Sequence, residues 1–139
     1  MSSPVFPVLA CLFFVGCGEQ LAGEWSITDA GFGTGADAVS LADLEGTVVI
    51  EGDDTATLVL QSGDLEGDYL VINTEGVAVG SGDGDFSLVV TGFQEVPESA
   101  IFVDLNLDCV ATEVDATCTG LWESLALDSQ QMFVDLTAL

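Results

Sequence analysis

The sequence predicts an all-β protein: an antiparallel meander closed into a small up-and-down β-barrel or, alternatively, folded as a two-sheet β-sandwich. Three observations carry that prediction. From Leu21 onward the apolar residues fall in short runs rich in Val, Ile, Leu and Thr, which is the composition of strands. Within 101–108, Ile101, Val103, Leu105 and Leu107 share one face while Asp104, Asn106 and Asp108 share the other, the period of two of a strand wetted on one side. Between the runs stand Glu51-Gly52-Asp53-Asp54, Asn73-Thr74-Glu75-Gly76 and Gly80-Ser81-Gly82-Asp83-Gly84-Asp85, whose Gly, Asn and Asp tolerate positive φ or cap themselves. Links this short make sequential strands antiparallel neighbours, because a parallel crossover needs about a dozen residues or more.

Taken in order, strands are expected at 23–28, 46–51, 56–61, 68–73, 76–79, 86–91, 100–108, 117–125 and 132–138. Two segments, 36–43 (ADAVSLAD) and 123–131, have helical character, each too short to stand without packing on the sheet. This many strands in so short a chain suits a barrel or a sandwich, both of which deal with exposed edges by closing or stacking. No internal repeat is present, which argues against a solenoid.

Composition narrows the function. The chain has 139 residues, 24 Asp plus Glu and no Lys, Arg or His, for a formal charge of −24. Nucleic-acid binding is excluded, because it needs cations to displace counterions from phosphates. Lysine-dependent phosphate loops, arginine fingers and His-centred acid/base chemistry are excluded by absence. Disorder is excluded too, since 49% of residues are apolar and mean hydropathy is +0.54.

The first 18 residues contain no acid, and 5–15 are almost continuously apolar. That run is shorter than the roughly 20 residues that cross a bilayer, but it has the length of a signal-peptide core. It leads into Phe14-Val15-Gly16-Cys17, which resembles a bacterial lipobox. The resemblance implies a signal peptide over 1–16, lipidation of Cys17, a linker over 17–22 and a single all-β domain over 23–139. The expected location is the bacterial cell envelope, lipid-anchored, with the outer membrane as the expected side. Acyl chains would do the holding, since an acidic domain gains nothing from an anionic membrane surface. Export also places Cys109 and Cys118 in an oxidising compartment, where two thiols read as one disulfide. The alternatives are a pair of buried thiols and, third, a zinc site, for which no His is present.

Leu21-Ala22-Gly23-Glu24-Trp25 looks like the Gly-x-Trp opening of lipocalin-like barrels. The resemblance implies a β-barrel with Trp25 closing one end; taken alone, Trp25 reads as core or sheet-end packing.

Without His, Lys or Arg, catalysis would rest on carboxylates, hydroxyls, Tyr69, thiols or bound metals. Two carboxylates suffice for a glycosidase, but 24 of them produce pairs by chance. No residue is marked as catalytic, and a non-enzyme is expected. Calcium is the one cofactor the acid-rich turns suggest, with Asp83, Asp85, Asp53 and Asp54 as its candidate ligands. The expected function is an interaction module or a carrier of a small apolar ligand. Its expected partners are the membrane, through the lipid, and either that ligand or an envelope protein. The alternative is a calcium-dependent structural or adhesive surface protein. A carrier requires an empty apolar interior, whereas an interaction module has a filled core and an exposed patch.

Overall fold

A computed structural model of the chain describes residues 23–64, 66–80, 84–124 and 129–139. The expected signal peptide, Cys17, its linker and Asp83 lie outside the described residues. Nine strands follow one another: β1 (Gly23–Phe32), β2 (Val39–Ser40), β3 (Glu45–Ile50), β4 (Thr55–Gly63), β5 (Tyr69–Gly80), β6 (Phe86–Val96), β7 (Ser99–Ala111), β8 (Asp115–Ser124) and β9 (Ser129–Ala138). All pairings are antiparallel, and from β3 to β9 each strand pairs with the next in the chain. β1 pairs with β3 on one side and with β9 on the other, so the meander closes on itself. The short β2 continues the β3 side, pairing Gly31↔Ser40 and Phe32↔Val39. The architecture is therefore the up-and-down barrel rather than the sandwich.

Alternation puts the apolar set inside. Ile72 on β5, Leu88 and Val90 on β6, Val103 and Leu107 on β7, Cys118 on β8 and Val134 on β9 are all fully buried. Two polar side chains join them, each with a partner: Thr74 donates to the Leu58 carbonyl at 2.9 Å and Ser62 to the Ala42 carbonyl at 2.7 Å.

Three sequence expectations are corrected. The first strand does not stop at 28. A bulge between Ile27 and Asp29 restores the inward phase, so Ala30 and Phe32 continue the core. The turn expected at 73–76 does not exist either, for β5 runs through it. Gly76 is there because of close approach: a Cβ would stand 2.0 Å from the Val89 carbonyl oxygen of the adjoining strand. The helical segments are absent from the described residues as well. In 36–43 there is one 3₁₀ turn, Gly35–Asp37, followed by β2. Of 123–131, the described residues belong to β8 and β9, with Glu123 opposite Ser129; the hydrogen bonds of a ladder outweigh the marginal stability of an isolated short helix.

Candidate functional site

A ligand held inside the barrel would need space there. A void wide enough for water or a ligand leaves accessible area on its walls. Leu58, Leu60, Ile72, Leu88, Val90, Val103, Leu107 and Val134 have 0% exposure, so the middle of the barrel is filled by its own side chains.

The ends are also occupied. At one end the half-buried Trp25 packs on the core with its ring 6.1 Å from Phe86. The strand connections 51–54, 84–85 and 112–114 gather at this end with both termini of the barrel. Leu139 N–H donates to the Glu24 carbonyl, Ala138 N–H to Val114 and Ala78 N–H to Asp54. At the other end Phe32 and Trp122 meet edge to face at 5.9 Å, and the Trp122 indole N–H donates to Gln94 Oε1 at 2.9 Å. Cys109 and Cys118, directly opposite on β7 and β8, form a disulfide facing the interior.

Of the acids singled out from the sequence, Asp53, Asp54 and Asp85 lie among the described residues, at the first end. Asp53 Oδ1 accepts the Thr55 N–H at 3.1 Å, and hydrogen bonding from the Thr55 side chain and backbone holds its carboxyl below the usual carboxylate range. Asp54 adopts a left-handed conformation (φ 69°), with Oδ1 buried and without a hydrogen-bond partner. Asp85 Oδ1 accepts the Ala111 N–H at 3.1 Å. Among the described residues no three His, Cys, Asp or Glu side chains converge as a cation cage.

What the sequence reading missed lies on the outside. A groove of about 800 Å³ crosses the outer face of β5, β6 and β7. Its centre is a cross-strand row, Asn73–Phe93–Phe102. Phe93 is 59% exposed, and the two rings meet at right angles with centroids 5.6 Å apart. Val71, Glu95 and Ala100 flank the row on one side, Glu75 and Thr91 on the other. Glu95 Oε2 accepts the Tyr69 hydroxyl at 3.2 Å; desolvation and then the Glu95 charge push the Tyr69 phenol above its ordinary value. One row further on, Val77 and Val89 stand opposite each other, both exposed. A signal for this site was available: Phe93 has the phase of Val89 and Thr91, and Phe102 that of Asp104 and Asn106, which is the wet side of both strands.

These features define the class: a closed up-and-down barrel, the strand plan that lipocalins share, with a filled centre and an apolar groove on its outer face. No known family and no curated protein matches the sequence. Among solved structures, lobster apocrustacyanin A1 is similar with a TM-score of 0.40 and 12% identity, over 86% of this chain and 61% of that one. The chain thus spans less than two thirds of the lobster protein, and nothing about ligand or role passes between them at that identity.

Proposed function

We propose that this chain is an exported, lipid-anchored protein of the bacterial cell envelope whose barrel is a non-enzymatic interaction module. The observation that carries the module reading is the absence of accessible area on the central interior side chains. A barrel that carried an apolar molecule inside would have to displace its own core, at a cost of several kcal/mol. An outer face with exposed aromatic and aliphatic side chains is the surface an interaction module needs.

The anchor fits this use. Cys17 precedes Gly23 by six residues, which reach about 20 Å when extended. Gly23 leaves the barrel at the Trp25 end, so the groove beside the β6–β7 turn would point away from the membrane. The test is a titration with an environment-sensitive apolar dye, followed by dye emission and by Trp122 fluorescence. No saturable one-to-one binding is expected; saturable uptake that perturbs Trp122 would replace the module with a carrier. Intact mass of the protein from its host tests the anchor, which requires a mature species beginning at an acylated Cys17.

A further inference from the structure

We infer that the β5–β7 groove is the docking site for an arginine-bearing segment of a basic partner protein, whose guanidinium stacks on Phe93, braced at right angles by Phe102, between Glu75 and Glu95. This rests on the interaction-module reading and names its partner. Three observations support it.

First, the chain carries no basic side chain, so no internal lysine or arginine neutralises the groove's carboxylates. A matching cation has to come from a partner. Second, the groove joins two features that favour the same ligand. Phe93, the exposed ring of the pair, carries the negative side of its quadrupole on its faces and attracts a cation. Glu75 and Glu95 stand on opposite sides of the aromatic row. A planar guanidinium stacks and hydrogen-bonds a carboxylate at once, which an ammonium does less well. Third, the groove spans three strands, about 10 Å across, and its 800 Å³ holds more than one side chain. That fits a peptide segment better than a lone small amine. A second copy is disfavoured as occupant, because it would bring another −24 against the same surface.

The test uses the full chain and a fluorescent peptide of about ten residues alternating Arg and Ser, with a Lys–Ser peptide of equal charge beside it, read by anisotropy at constant ionic strength. The arginine peptide is expected to bind more tightly. Phe93→Thr with Phe102→Thr is expected to weaken it at least about fivefold, and so is Glu75→Gln with Glu95→Gln. Glu51→Gln with Glu113→Gln removes the same charge at the other end of the barrel and should change affinity less than about twofold. Unchanged thermal unfolding in each variant establishes that the loss is local. If the distant pair weakens binding as much as the groove pair, attraction is by overall charge and the inference fails, while the module reading stands. Equal affinity for the lysine peptide, or sedimentation showing a dimer that Phe93→Thr dissolves, also overturns it. Saturable dye uptake inside the barrel would instead remove the module reading itself.

Discussion

The outer wall of the barrel has two unlike sectors. On β8, β9 and β1 several outward positions pair acids with hydroxyls, as where Thr117 lies opposite Asp135 and Thr137 donates to Asp115 at 3.1 Å, with Leu121 the exposed apolar exception on β8. Where two acids meet there, at Asp29 and Asp135, Ser40 donates to Asp29. On β5, β6 and β7 the outward positions include Val71, Val77, Val89, Phe93 and Phe102. The interior behind both sectors is the same dry core, so packing does not explain the difference. A chain without bases partners exposed acids with Ser and Thr in both sectors, as Thr137 does for Asp115 and Ser87 for Asp108. The β5–β7 sector also leaves aromatic area in water, which costs roughly 25 cal/mol per Å² and is relieved only when something covers it.

The shared core is where the comparison breaks most severely. Leu107→Ala, on the β7 inner wall, should cost about 2–5 kcal/mol in urea unfolding and disable both sectors together. Replacing Cys109 and Cys118 by Ala should cost roughly 2.5–3 kcal/mol, the chain-entropy value for a loop of this size. Reduction of the native protein should reproduce that loss, measured as a fall in Tm.

Smaller effects separate the sectors. Phe93→Thr, being on the wet side and exchanging one good strand former for another, should change stability by less than about 1 kcal/mol. A larger loss would mean that the aromatic row supports the fold instead of waiting for a partner. Smallest of all, Asp135→Asn should stabilise the protein at neutral pH by roughly 0.2–1 kcal/mol, the worth of one like-charge pair across a sheet.

The pH dependence follows from the same residue. Burial, and after it the Asp29 charge, push the Asp135 carboxyl above its ordinary value. The folded state then binds this proton more tightly than the unfolded state does. Stability should therefore rise as pH falls through the window from the raised value to the ordinary 3.8. Asp135→Asn should flatten that rise, which thermal melts between neutral pH and pH 4 would register. Asp53 acts with the opposite sign: its lowered value gives stability present above 3.8 and lost below it.

The legible parts of the sequence were those ruled by local periodicity. Alternation in 101–108 gives the inner face of β7, and every one of its four apolar residues points inward or packs on the core. The Cys109–Cys118 disulfide was expected from the reading of an exported chain, with a pair of buried thiols as the alternative, and the two cysteines are bonded. Gly76 misled because glycine serves both turns and close strand approach, and only the Val89 carbonyl across the ladder distinguishes them. The bulge at Thr28 was equally hidden: it shifts the phase of one strand to keep register with another more than a hundred residues away.

By itself the sequence determined the all-β class, the excess of acids and the lack of any Lys, Arg or His side chain, because each depends on composition or on residues a few positions apart. The tertiary structure alone decided that β1 meets β9, that the interior is filled, and that Phe93 and Phe102 sit together between Glu75 and Glu95. Those facts depend on closure and register, which bring distant positions together according to how whole strands pair rather than what any segment contains.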